Sequence, residues 1–302
     1  MRGVWTALIT PFKGTEIDFE AYAKLLDRQR AAGVTGVIPC GTTGESPTLT
    51  SAEKKKLITT AVATLKGSGV KVFAGTGGNN TADTIEFSRW ASENGVDGLL
   101  LVTPFYNKPS QAGLEAHFRA VADAVKCEVM LYNVPGRTGV GFTPETISSL
   151  AKHPRITSIK EASGNVAFGC EVMDRLRADH HKMTLLAGDD AIFLPLLAVG
   201  ATGVVSVASN LFPRAMVAIQ NAMDAGRLSE AREIHQRFYP LFRDLFIEAN
   251  PVPIKYAMSR LKWCEPAVRL PLAALTQASA DKVDTAMAKC GVAIGSNGGA
   301  DL

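Results

Sequence analysis

Long apolar runs, paired cysteines and an excess of one charge are all missing from this 302-residue chain. No apolar stretch reaches the length of a membrane span, so no membrane partner is expected. The five cysteines (Cys40, Cys127, Cys170, Cys264 and Cys290) are odd in number and show no Cys-x-x-Cys spacing. That argues for reduced thiols rather than a disulfide framework or a zinc site. The five histidines form no His-x-x-x-His pair, and His180-His181 falls in a polar stretch that reads as surface. No metal is expected. A net charge of +3, with no basic run longer than Lys54-Lys55-Lys56 on a predicted helix, gives nucleic acid nothing to bind. Glycine and proline are ordinary at 27 and 15, which excludes fibrous and disordered classes. Met1-Arg2-Gly3-Val4-Trp5-Thr6 reads straight into a strand without a secretory pattern, so the expected location is the cytoplasm.

What is present is an alternation. With 46% hydrophobic residues the chain can bury a large core. Short β-rich runs occur at Val4–Thr10, Gly36–Cys40, Val70–Gly75, Gly98–Thr103, Glu128–Val134, Ile156–Lys160, Met183–Ala187 and Gly203–Val207, and each is followed by a helical pattern. The first helix carries Phe19, Tyr22, Leu25 and Leu26 on one face and stops near Ala32-Gly33. Thr50-Ser51-Ala52-Glu53 has capping-box spacing, and Thr143-Pro144-Glu145 offers an N-cap with proline at the first helical position. Eight βα units predict an α/β chain closed as a (β/α)₈ TIM barrel over residues 1–225. An open doubly wound sheet would favour a glycine fingerprint after strand one, where Thr10-Pro11-Phe12-Lys13 stands instead. Beyond 225, Leu228–Glu248, Val252–Trp263 and Leu272–Lys289 read as helices, giving a C-terminal helical appendage over 226–292. Residues 293–302 are expected to form a flexible tail.

Active sites of such barrels collect at the C-terminal ends of the strands. Strand six ends on Lys160. A lysine there is a candidate nucleophile, because burial favours the neutral amine that attacks a carbonyl. After strand two, Gly41-Thr42-Thr43-Gly44-Glu45-Ser46 offers backbone N–H groups and two hydroxyls to a small anion, and its lack of Gly-Lys-Ser/Thr argues against a nucleotide. Strand four leads to Tyr106. Strand five carries Tyr132 and then Arg137 on a glycine-flanked loop, a phenol for proton transfer and a fork for a carboxylate. Strand seven runs into Gly188-Asp189-Asp190, where helix capping is the simpler reading for the acids. An anion cradle, two phenols, an arginine and a lysine suit imine chemistry on a 2-oxo acid.

These motifs resemble the dihydrodipicolinate synthase / N-acetylneuraminate lyase family. Gly-Thr-Thr-Gly-Glu at 41–45, Tyr-Asn-Val-Pro-Gly-Arg-Thr-Gly at 132–139, Ile-Lys-Glu-Ala-Ser-Gly at 159–164, Gly-Asp-Asp at 188–190 and Asn-Pro-x-Pro-x-Lys at 250–255 occur in the family's order. The resemblance implies a class I aldolase barrel without metal or organic cofactor. Lys160 would be the Schiff-base lysine, and Tyr132, Thr42 and Tyr106 the proton relay, with Tyr106 supplied by a neighbouring subunit. Thr43 would hold the pyruvate carboxylate, and Gly188 and Val205 would lie among the substrate-binding positions. Arg137 implies the synthase branch, which condenses pyruvate with L-aspartate 4-semialdehyde to 4-hydroxy-tetrahydrodipicolinate on the way to diaminopimelate and lysine. Sugar-acid and 4-hydroxy-2-oxoglutarate aldolases, or a non-catalytic ligand-sensing barrel, are the alternatives. A homotetramer built from two dimers is implied. Pro47, Ser51, Lys54, Asn79, Asp83 and Phe105 stand where lysine-inhibited members bind their effector, and Lys54 and Phe105 suggest weak or absent inhibition.

Overall fold

The computed structural model describes residues 1–292, so the expected tail at 293–302 lies outside the described residues. Eight strands form the barrel: β1 (Gly3–Ala7), β2 (Gly36–Ile38), β3 (Lys71–Gly75), β4 (Gly98–Val102), β5 (Glu128–Asn133), β6 (Ile156–Glu161), β7 (Thr184–Ala187) and β8 (Gly203–Ser206). They run parallel in the closed ring β1-β8-β7-β6-β5-β4-β3-β2. Strands covered on both faces need apolar residues in near-continuous runs, as in Leu99-Leu100-Leu101 and Val129-Met130-Leu131, all buried.

By packing, the chain forms two compact units. One comprises Met1–Gly3 with Lys71–Val205, the other Val4–Val70 with the chain from Ser206 onward. In the first, Tyr132 lies in register with Lys160 and Asn133 with Glu161 across β5 and β6, while Lys160 and Glu161 pair with Leu186 and Ala187 of β7. Helices Thr81–Glu93, Gln111–Asp123, Pro144–Ala151 and Val166–Ala178 follow its strands. The N-cap expected at Thr143 is present, its hydroxyl accepting from Thr146 N at 3.3 Å.

The second unit holds β1 from Val4 onward, β2 and helices Phe19–Ala32, Ser51–Leu65, Pro213–Asp224, Leu228–Asp244, Val252–Arg260 and Gln277–Lys289. Gly33 takes the left-handed conformation (φ 74°) that closes the first helix. The capping box is complete: Thr50 N donates to Glu53 Oε2 at 2.7 Å, and Glu53 N to Thr50 Oγ1 at 3.2 Å. Strand one stops at Ala7 rather than Thr10. Asn210 takes over there, its Nδ2 donating to Ala7 O at 2.7 Å and its Oδ1 accepting from Ile9 N at 3.1 Å. A small hairpin of Phe12–Lys13 and Glu16–Ile17, unexpected from the sequence, turns at Gly14. The last helix begins at Gln277 instead of Leu272, because Thr276 is its N-cap and its hydroxyl donates to Glu248 Oε1 at 2.6 Å.

Candidate active site

Lys160 is the last residue but one of an apolar strand yet is 5% exposed. Its Nζ stands 4.1 Å from the ring centroid of Tyr132, the residue opposite it on β5 and itself buried. The ring face offers its quadrupole to the Lys160 side chain in a place with little water. Space beside the lysine is held open by Gly188. A Cβ there would come within 2.6 Å of Ala162 Cβ and 3.0 Å of both Glu161 O and Lys160 Cγ, and Gly188 N donates to Glu161 O at 2.7 Å. Only glycine fits that approach. Val205 is fully buried in β8.

Behind Lys160, Glu161 is 1% exposed and meets no cation among the described residues. Its Oε2 accepts from Asn133 Nδ2 at 2.6 Å and its Oε1 from Ser163 N at 2.5 Å. Burial pushes this carboxyl above its ordinary range, and the bonds from Ser163 and Asn133 only partly oppose that. Arg137 is exposed on the short helix Pro135–Thr138. That segment is tied down by Thr138, whose hydroxyl accepts from Thr103 Oγ1 at 3.1 Å and lies 2.6 Å from Val140 O. Tyr106 is 90% exposed with φ 73°, so within this chain it stands at the surface. Asp189 caps the short helix after β7, accepting from Ala191 N at 2.8 Å, as its position suggested. Among the described residues no group of three or more His, Cys, Asp or Glu side chains is placed to hold a metal ion.

In the other unit, the 41–46 turn is strongly constrained. Cys40 and Glu45 both adopt positive φ, 58° and 54°, which non-glycine residues reach only at a cost. Gly44 packs so closely that a Cβ would lie 3.1 Å from Cys40 N and 3.2 Å from Leu8 O. Thr42 is half-buried and Thr43 buried. The Thr43 hydroxyl accepts from Asn250 Nδ2 at 2.9 Å, which leaves its own proton free to point at an anion. Glu45 pairs with Lys255 at 2.6 Å, both side chains fully buried, and its second oxygen accepts from Arg269 N at 3.0 Å. Arg269 also grips Glu53 through two N–H groups. The C-terminal segment therefore props the turn. Asn250 and Lys255 belong to the Asn-Pro-x-Pro-x-Lys motif, a visible signal whose role was not. Glu161 and Asn133 were missed because a buried acid directly after Lys160 looks, in sequence, like solvent-facing polarity.

A parallel eight-stranded barrel whose sixth strand carries a buried lysine next to its end, in register with a tyrosine across the sheet, defines a lyase of the class I aldolase type. Residues 1–290 match the Dihydrodipicolinate synthetase family. A 4-hydroxy-tetrahydrodipicolinate synthase of Leptospira biflexa is 47% identical over 281 residues, covering 93% of this chain and 94% of that protein. Among solved structures, the 4-hydroxy-tetrahydrodipicolinate synthase of Methylacidiphilum fumariolicum SolV superposes with a TM-score of 0.93 at 43% identity, covering 96% of each chain. A dihydrodipicolinate synthase of Cyanidioschyzon merolae with lysine bound gives 0.91 at 40% identity, covering 96% of this chain and 98% of that one. The chain belongs to the dihydrodipicolinate synthetase family.

Proposed function

We propose that this chain condenses pyruvate with L-aspartate 4-semialdehyde to give 4-hydroxy-tetrahydrodipicolinate. The observation that carries the reading is the buried Lys160 amine held over Tyr132 at the mouth of β5 and β6. The names carried by its relatives support it. The amine adds to the ketone carbon of pyruvate, water leaves, and an iminium joins Nζ to that carbon. Loss of a methyl proton gives the enamine, whose terminal carbon attacks the aldehyde, and the resulting alkoxide takes a proton. The amino group of the second substrate then displaces Lys160 from the imine carbon and closes the ring.

Tyr132, Thr42 and Tyr106 are assigned the proton transfers, with Tyr106 offered to a neighbouring subunit of a homotetramer. Its high exposure in the single chain suits that role. Thr43 takes the pyruvate carboxylate, and Gly188 and Val205 bound the pyruvate site. Arg137 binds the carboxylate of the semialdehyde. Residues 1–225 act as the catalytic barrel and 226–292 as its helical support, and the enzyme works in the cytoplasm without nucleic-acid or membrane partners. Feedback by lysine is weak. The relative with lysine bound marks what the family fold can accept, but here a half-buried ammonium at Lys54 and a phenyl ring at Phe105 meet a cationic effector poorly.

The test is a panel of aldehydes run against the parent and Arg137→Ala. The parent should prefer L-aspartate 4-semialdehyde to neutral sugar aldehydes. The variant should lose about 10- to 100-fold in kcat/KM for it, the worth of a charged, forked hydrogen bond. Equal rates with the semialdehyde in both proteins would discard the substrate assignment.

A further inference from the structure

We infer that Asn133 and Glu161 are positioning residues of the reaction, a donor–acceptor clamp that fixes the Lys160 and Tyr132 strand ends relative to each other. The inference rests on the proposed imine chemistry of Lys160. Asn133 follows Tyr132, Glu161 follows Lys160, and both pairs are in register across β5 and β6. Successive residues of a strand point to opposite faces, so the clamp sits directly behind the catalytic pair. Both clamp residues are 1% exposed.

Every hydrogen bond in the clamp has a fixed direction. Both Glu161 oxygens are occupied by N–H donors, Asn133 Nδ2 and Ser163 N. Asn133 cannot turn its amide over, because its Oδ1 accepts from Phe142 N at 3.1 Å. The backbones are joined as well, Ala162 N donating to Asn133 O at 2.9 Å. The clamp therefore ties strand five, strand six and the far end of the segment that carries Arg137. A buried carboxylate without a cation is costly, and a neutral side chain would avoid that cost. The acid is retained because position 161 needs an acceptor on both oxygens. Glutamine has the shape but presents an N–H₂ to one of two donors, so one bond must break.

In Asn133→Asp combined with Glu161→Gln, the carboxylate introduced at position 133 would accept from Phe142 N and from the new amide at position 161. The oxygen of that amide would accept from Ser163 N, and all three bonds return with net charge unchanged. Asn133→Asp alone places two buried carboxyls together, which can bond only while sharing a proton. Burial, Ser163 and Asn133 set the titration of Glu161, and no charged side chain is among its perturbing neighbours among the described residues. The shared proton is therefore lost as pH rises, and activity should fall with it.

The experiment compares the parent, both single variants and the double variant of the full chain. It measures kcat, pyruvate KM, the rate of borohydride trapping with pyruvate, the pH profile and thermal unfolding. Glu161→Gln is expected to lower kcat and trapping rate about 10- to 100-fold, with pyruvate KM within about threefold. Asn133→Asp should lose activity with rising pH where the parent does not, and the double variant should recover to within about threefold of the parent at every pH. A double variant that fails to fold, or remains as slow as the single ones, overturns the clamp. So does a parent-like pH profile for Asn133→Asp. Absence of a trapped adduct in the parent would instead overturn the imine reading.

Discussion

The buried Glu45–Lys255 pair gives the sharpest stability test. Lys255→Met keeps most of the stem volume and removes the ammonium. It leaves Glu45 Oε1, with no exposure, without the partner it has at 2.6 Å, while Arg269 N still serves the other oxygen. Breaking one side of a buried pair costs about 3–5 kcal/mol. At about 2 cal/mol/K per residue, a chain of 302 residues has an unfolding entropy of about 0.6 kcal/mol/K, so the melting temperature should fall by about 5–8 °C. Burial pushes the Lys255 ammonium below its usual range even though Glu45 opposes this, which means the pair does not recover its full desolvation cost. Glu45→Gln combined with Lys255→Met removes the buried charge and keeps an acceptor for Arg269 N, and should therefore regain part of the loss. Scanning calorimetry of the three proteins reads this directly. A single variant melting within about 1 °C of the parent, or a double variant as unstable as the single, would refute the reasoning.

Asn250→Asp should replace a donor to Thr43 by an acceptor, turning the Thr43 proton inward and away from substrate. Steady-state kinetics should show pyruvate KM raised about tenfold, the worth of one hydrogen bond to a charged group, with semialdehyde KM little changed. The Arg269 guanidinium bonded to Glu53 holds that carboxyl down, at about 2, with the bonds from Thr50 assisting and burial opposing. A depressed carboxyl contributes stability that is complete above its unfolded value of 4.5 and is lost as pH falls from there toward 2. Glu53→Gln should thus be less stable than the parent in urea near neutral pH, with the gap closing across that acid window.

Features set by neighbouring residues were legible in the sequence. The capping box at Thr50, the N-cap at Thr143 and the close of the first helix before Gly33 stand where short spacings placed them. The eight strands were equally readable, because parallel strands buried on both faces must be apolar throughout. Lys160 was conspicuous as a charge ending such a run. What stayed hidden depends on partners far along the chain. Strand one ends at Ala7 because of Asn210, the Thr43 hydroxyl is oriented by Asn250, and the strained turn at Glu45 is held by Lys255 and Arg269. Glu161 was hidden for another reason. Its pattern beside Lys160 is that of a polar strand end, and only the fold shows it buried with both oxygens bonded.

Treatment of the parent and of Lys160→Ala with pyruvate and borohydride, followed by peptide mass mapping and a rate assay, bears most directly on the central claim. One reduced pyruvyl group is expected in the parent, on the peptide containing Lys160, and in the variant no adduct and a kcat lower by at least about a thousandfold. An unchanged rate in Lys160→Ala, or an adduct on a different lysine, would contradict it.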